Sequence, residues 1–394
     1  MSEPAKRSHG YDGVAICAPV SVPYVRYSNE ATHWWIARAI RATLDECGLE
    51  PARIDGMCAS SFTLGADSAV GLTQHLGLTL RWLDHIPMGG LSSVVALRRA
   101  ARAVQAGDAS IIVCVAGDTN GVNSFRHTAE NFSRFSQDAA YPYGSGGPNA
   151  CFGLLTDYYM RHFGIKREDF AHVCVAQRAN ALRYPDALFK KAMTVEEYMR
   201  SRMISDPICL LDCVMPCAGA EAFIVTTQEI ARSFGKPFAR LLASQEHHNA
   251  FPEDPIQFRA GWARDPKGFW ETAGVTPDQV DLVQTYDDYP VISMMQIEDL
   301  GFCGKGESGA FLRERDLTVD GDFPHNTSGG QLSVGQAGAA GGYLGTVDAL
   351  RQITGTATGR RVKDARIAVA SGFGLINYDR GVCSGAVVLA GEGA

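Results

Sequence analysis

Seven short apolar runs punctuate the chain: Gly13–Ala18, Ile54–Ser60, Ser110–Ala116, Ala222–Thr227, Val280–Thr285, Arg366–Ala370 and Gly385–Ala390. They are rich in Val, Ile, Ala and Cys and show little alternation of apolar and polar positions. Such runs predict central strands covered on both faces rather than strands with one wet side. Between them apolar residues recur at helical spacing, as in His33–Cys47 and Leu91–Ala106, which predicts amphipathic helices. Strand and helix in alternation predict an α/β layered fold.

The pattern repeats. Gly48-Leu-Glu-Pro-Ala-Arg-Ile-Asp55 matches Gly274-Val-Thr-Pro-Asp-Gln-Val-Asp281: a helix ends at Gly, Pro restarts the chain, and a β-branched residue and Asp lead into a strand. A second echo pairs Gly107-Asp-Ala-Ser-Ile-Ile-Val113 with Lys363-Asp-Ala-Arg-Ile-Ala-Val369. Each of these strands is read as ending in a glycine-bearing loop, Ala116-Gly117-Asp118 and Ser371-Gly-Phe-Gly374. Helix–Gly–Pro–strand turns recur by chance, but order and spacing agree here. They predict two fused copies of one α/β unit, residues 1–235 and 236–394. Between Asp118 and Asp212 the chain turns polar and aromatic, with Asn131-Phe-Ser-Arg-Phe135 and Tyr141-Pro-Tyr-Gly-Ser-Gly-Gly-Pro148. Helices are expected over Phe152–Phe163 and Val195–Met203, in a lobe inserted over the core, where substrate loops tend to sit.

Bulk composition narrows the partners. With 394 residues, 46% of them hydrophobic and 20% charged, the chain is long enough for two domain-sized cores. A net charge of −7 argues against nucleic acid as the main partner. The N-terminal Met1-Ser-Glu-Pro-Ala-Lys-Arg-Ser-His-Gly10 lacks the apolar core of a signal peptide, and no apolar stretch reaches 18 residues. The eleven cysteines are odd in number and lie in apolar runs, which reads as reduced, buried thiols in a cytoplasmic protein. His247-His248 and His325 lack metal-ligand spacing with a second pair, so no metal is expected. Cys213-Val-Met-Pro-Cys217 reads as packing rather than a redox pair.

Chemistry enters through glycines and tyrosines. The ordered markers include Ile54-Asp-Gly56, Gly89-Gly90 opening a helix, Gly107-Asp108-Ala109, Ala179-Asn-Ala-Leu182, Glu196-Glu-Tyr198 and Ser205-Asp-Pro207. Further on stand Tyr286-Asp-Asp-Tyr289, Glu298-Asp-Leu-Gly301, Gly306-Glu307, Asn326-Thr-Ser-Gly-Gly330 and Gly372-Phe-Gly374. Together they resemble the thiolase superfamily, in its sterol-carrier-protein and lipid-transfer-protein branch, over essentially the whole chain. The resemblance implies a five-layered thiolase fold of two fused α/β halves with an inserted lobe, a homodimer built through the first-half edge, and a small OB-fold acyl-CoA-binding partner. Its substrate would be a coenzyme A thioester, with no cofactor held permanently.

The departures from that family matter most. Gly90 stands where the acyl-accepting cysteine would be, Gln336 where the Gly-His-Pro histidine would be, and Ala370 where the second cysteine would be. Cys58, in Met57-Cys-Ala-Ser-Ser61, sits inside a predicted strand rather than at an activating helix start. Without the thiol and imidazole, two-step acyl transfer has no nucleophile. Backbone amides remain, so Gly90, Gly372 and Gly374 are expected to form an oxyanion hole, with glycine at 90 opening room where sulfur stood. Tyr286, Tyr289 and Tyr343 then stand as acid–base candidates, with Asp287 beside the first two, and Asn326 and Gln336 as substrate contacts. A free phenol titrates near about 10, so a tyrosine is a base only where its phenolate is favoured, whereas as a donor it needs less help. The aspartates also suit a plain turn, and the tyrosines plain strand-end packing. By resemblance to lipid-transfer-protein aldolases, the chain is expected to cleave a β-hydroxyacyl-CoA with a steroid or aromatic side chain by retro-aldol chemistry. The alternatives are a thiolase-like acyltransferase or condensing subunit, and a non-catalytic acyl-CoA-binding homologue.

Overall fold

The computed structural model describes residues 10–65, 68–122, 124, 134–144 and 147–394. The N-terminal segment 1–9, residues 131–133 of the aromatic stretch, and 145–146 of the glycine-rich stretch lie outside the described residues.

The described strands are β1 (Val14–Val25), β2 (Gly56–Ser60), β3 (Trp82–His85), β4 (Ile111–Asp118), β5 (Met203–Ser205), β6 (Ile208–Cys209), β7 (Ala218–Thr227), β8 (Phe238–His248), β9 (Leu282–Gln284), β10 (Ile367–Asn377) and β11 (Arg380–Gly391). Nine of them form one sheet in the order β3-β2-β4-β7-β1-β8-β11-β10-β9, with β5 and β6 paired apart. The two ends of the sheet share one plan. In the first, β2 and β4 run parallel and β7 and β1 follow antiparallel. In the second, β9 and β10 run parallel and β11 and β8 follow antiparallel. Even the outer neighbour corresponds: β3 runs parallel beside β2, and His325 bridges parallel to Val283 of β9. The halves join where Ile16 and Cys17 pair with Ala239 and Phe238.

Two helices, Ser92–Ala106 and Gly341–Thr354, pack against strands of both halves and against each other. The sheet therefore wraps around them, with helix Thr32–Cys47 outside the first half and helix Pro290–Asp299 outside the second. That gives five layers. Each strand's two faces enter different cores. Ile112, Cys114 and Ala116 face the central helices while Val113 and Val115 face outward. In β10 and β11, Ala368 and Leu389 face inward while Val369 and Val388 face outward. Both faces being covered is the reason these runs carry no polar alternation. Both central helices end at a left-handed glycine, Gly107 with φ 78° and Gly355 with φ 76°, a conformation that penalises any Cβ.

Several boundaries differ from expectation. The Arg366–Ala370 run continues as β10 to Asn377, so Ser371–Gly374 is strand, held by pairing with β11 at Gly372↔Gly385 and Gly374↔Cys383. Gly117 and Asp118 are likewise the end of β4. The helix expected over Val195–Met203 stops at Met199, and Met203 starts β5. Strands β3 and β8 had no apolar run to announce them: β3 is half-buried, and β8 alternates through Arg240, Ser244 and Glu246.

Candidate active site

A cavity of about 1270 Å³ opens where the Gly89–Leu91 turn, the far end of β10 and the Tyr286–Tyr289 segment meet helix Gly147–His162. Of the sequence candidates, Gly90, Tyr286, Tyr289, Gln336 and Gly374 line it, and Asp288 joins them. Phe152 and Phe373 supply apolar wall, packed on one another with ring centroids 6.1 Å apart.

The Tyr286 segment is positioned by its neighbours in the chain. Strand β9 ends at Gln284 and helix Pro290–Asp299 begins with a proline at its first turn, where a missing N–H costs nothing. Between them the side-chain amide of Gln296 clamps Tyr286 from both sides. Its Nε2 donates to the Tyr286 carbonyl at 2.7 Å, and its Oε1 accepts from the Tyr286 N–H at 3.2 Å. Ser371 Oγ donates to the same Oε1 at 2.7 Å. Nothing in the sequence pointed to Gln296, because its partners outside its own helix, Tyr286 and Ser371, come from two separate segments of the chain.

The space beside Gly90 is filled, not open. A Cβ built on Gly90 would overlap the Tyr286 ring and the Phe373 carbonyl oxygen. The expected vacancy left by sulfur is thus corrected: a phenol ring occupies it. Gly374 lets β10 pass close to the same turn, since a Cβ there would meet Met88 O at 3.1 Å and Gly90 N at 3.3 Å.

Around that ring lies a polar group. Gln336 Nε2 donates to Asp288 Oδ1 at 3.0 Å and reaches the Tyr286 hydroxyl at 3.5 Å. Tyr286 also hydrogen-bonds Asp288. Asp288 keeps some surface toward the cavity but is crowded from bulk water. Burial therefore pushes its carboxyl up to about 7, with the charge of Asp287 adding to the rise and hydrogen bonds from Tyr286 and Gln336 opposing it. Burial, then the charge of Asp288, pushes the Tyr286 phenol well above its ordinary value, so at neutral pH it is a donor and not a phenolate. Gln336 is itself held by the segment leading into β7, its N–H donating to Met215 O and its carbonyl accepting from Cys217 N, each at 2.9 Å. Tyr289 donates to Asn149 Oδ1 at 2.6 Å and packs on Phe152 at 4.8 Å. Asn149 comes from the inserted segment, and sequence reading did not single it out.

Four candidates fall elsewhere. Tyr343 is fully buried in the central layer against Phe223, its hydroxyl 3.3 Å from Ser60 Oγ, because it lies on the sheet-facing side of its helix. Asp287 turns under the cavity and accepts from the backbone N–H groups of Gln331 at 3.0 Å and Leu332 at 3.3 Å, capping helix Gly330–Val334. Asn326, at φ 44°, accepts from Thr285 N–H at 2.8 Å and orders the glycine loop behind the site. Gly372 does not line the cavity; a Cβ there would overlap the Gly90 carbonyl, so glycine at 372 serves close packing of β10 on the turn. Cys58 is buried in β2, and burial raises its thiol pKa well above the ordinary value. No disulfide links the eleven cysteines; Cys213 and Cys303 are half-buried and the rest buried. Among the described residues no cluster of three or more His, Cys, Asp or Glu gathers to hold a metal. Among the same residues no helix is long and apolar enough to cross a membrane.

A family model for the thiolase C-terminal domain-like region matches residues 244–383. A Mycobacterium tuberculosis protein named 17-hydroxy-3-oxo-4-pregnene-20-carboxyl-CoA lyase is 30% identical, the match covering 86% of this chain and 91% of that one. The chain belongs to the thiolase superfamily. Within it, the lipid-transfer-protein-like branch is where its relatives fall. A Thermomonospora curvata protein named steroid side-chain-cleaving aldolase is 28% identical over 86% of this thiolase-like chain and 89% of its own. A solved structure described as an Ltp2-ChsH2(DUF35) aldolase superposes with a TM-score of 0.83 at 23% identity, covering 96% of this chain and 97% of that one, and shares the fold.

Proposed function

We propose that this protein is an acyl-CoA carbon–carbon lyase that cleaves a β-hydroxyacyl-CoA by a retro-aldol reaction. The observation that carries this reading is the Tyr286 ring seated where a nucleophile's side chain would extend from Gly90. Position 90 so filled offers no side chain to take an acyl group, but the site keeps hydrogen-bond donors beside a backbone turn. The β-hydroxyl loses its proton and its electron pair forms a carbonyl. The Cα–Cβ bond breaks, its pair passes into the thioester as an enolate, and Cα is then protonated. We assign the enolate oxygen to the Gly90–Gly374 side, where buried amide donors stabilise developing charge. We assign proton donation to the Tyr286 phenol, with Gln336 and Tyr289 orienting the substrate.

A cavity of about 1270 Å³ exceeds what a short acyl chain fills and supports a bulky steroid or aromatic group. The relatives named as a steroid side-chain-cleaving aldolase and a pregnene carboxyl-CoA lyase support the same class. The neighbour described with a DUF35 partner supports assembly with a small OB-fold acyl-CoA-binding protein. We take the chain to act as a homodimer in the cytoplasm, dividing near residue 235, with the coenzyme A thioester as substrate and no resident cofactor.

Intact-protein mass spectrometry after incubation with an acyl-CoA tests the absence of a nucleophile. The unmodified chain mass is expected; a stable acyl adduct would return the protein to acyl transfer.

A further inference from the structure

We infer that Asp288 is the catalytic residue that accepts the β-hydroxyl proton and passes it, through Tyr286, to Cα. This assignment rests on the retro-aldol reading and names the base that reading leaves open. Among the described residues lining the cavity, the carboxylates are Asp118 and Asp288, and no histidine is present. Asp118 has no capacity to spare. It accepts from Ser61 Oγ at 2.7 Å, Thr63 Oγ1 at 2.6 Å, Thr63 N at 3.0 Å, Phe62 N at 3.1 Å and Ala339 N at 2.8 Å. A carboxylate offers about four lone-pair sites, and these donors take them all.

Asp288 is different. Among the described residues its partners are Gln336 Nε2 and the Tyr286 hydroxyl, which leaves lone pairs toward the cavity. The cavity thiols do not compete, because burial raises the pKa of Cys213 to about 12 and that of Cys217 further still. Among the described residues, the titratable groups interacting with Asp288 are Tyr286, Asp287, Tyr289 and Cys213, and of these Asp287 alone carries charge near neutrality.

The proton balance closes without another reactant. The Asp288 carboxylate takes the hydroxyl proton as the carbonyl forms and the Cα–Cβ bond breaks. Tyr286 gives its hydroxyl proton to the enolate Cα, and the Asp288 carboxylic acid restores the phenol through their hydrogen bond. One proton has moved from oxygen to carbon, and both residues return to their starting states.

The test uses the thioester carried in a relative's name, 17-hydroxy-3-oxo-4-pregnene-20-carboxyl-CoA, with wild type, Asp288→Asn and Asp288→Ala. Wild type is expected to lose rate below about pH 7. Asp288→Asn is expected to lower kcat by about 10²–10⁴-fold, with KM little changed, and to abolish the acid limb. Formate is expected to restore rate to Asp288→Ala, which a merely structural role would not allow. Turnover by wild type with an unchanged rate and acid limb in Asp288→Asn overturns the assignment and leaves the lyase reading standing. Absence of turnover by wild type with the thioester bound overturns both. If Asp288→Asn does not fold, the acid limb of Asp288→Glu decides: a shifted limb supports the assignment and an unmoved one removes it.

Discussion

At Gly90 the absence of a side chain is enforced by what lies beyond it. Because the Tyr286 ring and the Phe373 carbonyl oxygen fill the position of a Cβ, Gly90→Cys does not rebuild a thiolase. It overpacks a buried turn, which costs about 1–3 kcal/mol. A lowered melting temperature with no CoA-dependent thiolysis is the expected outcome; robust thiolysis by this variant would contradict the packing. Two tyrosines that the sequence offers as acid–base candidates separate in the structure. Tyr286→Phe keeps the ring and removes the hydroxyl that meets Asp288 and Gln336. It is expected to retain the fold and lower kcat by about 10²-fold or more. Tyr343→Phe loses only a 3.3 Å contact to Ser60 in the central layer and is expected to leave kcat near wild type. Steady-state kinetics on the pair distinguishes site from core.

At the scale of elements, the Thr285–Tyr289 link between β9 and helix Pro290–Asp299 divides its neighbouring carboxylates between two tasks. Asp288 faces the cavity, and Asp287 caps helix Gly330–Val334 through Gln331 and Leu332. Asp287→Ala leaves those buried N–H groups without an acceptor and is expected to cost about 1–3 kcal/mol in denaturant unfolding. Burial raises the Asp287 carboxyl to about 6, so between pH 4 and 6 the folded chain holds a proton the unfolded chain has released. That contribution to stability is present below pH 4 and lost as pH rises through 6. The strands whose two faces are both covered, such as β4, are legible in the sequence, and so is the placement of Gly90 at a helix start. Strand β8 is not, because its polar residues alternate with buried Phe238, Leu241 and Ala243. Nor is Asp288 legible there as a proton acceptor. That role depends on Gln336, held by Met215 and Cys217, and on Asn149 placing Tyr289, all distant in the chain.

At the scale of the molecule, the two halves share a central helix layer in which polar groups cross the junction. Arg351 of the second half donates to Ser21 Oγ at 3.0 Å, and Ser21 Oγ donates to Glu221 Oε2 at 2.6 Å. Burial lifts the Glu221 carboxyl from 4.5 to about 8, opposed first by Arg351. The folded chain therefore binds more protons than the unfolded chain between those values, and this contribution to stability falls as pH rises from 4.5 through 8. Glu221→Gln is expected to flatten unfolding free energy against pH in that window, measured by denaturant titration at several pH values. The same shared layer sets the Gly89–Leu91 turn of one half against β10 of the other, and the cavity opens beside that seam. The most direct measurement of the central claim is product analysis of a β-hydroxyacyl-CoA incubated with the protein in the absence of free coenzyme A. The account predicts a ketone or aldehyde together with a shortened acyl-CoA. Cleavage that occurs only when free coenzyme A is added, with that CoA incorporated into the product, would contradict it.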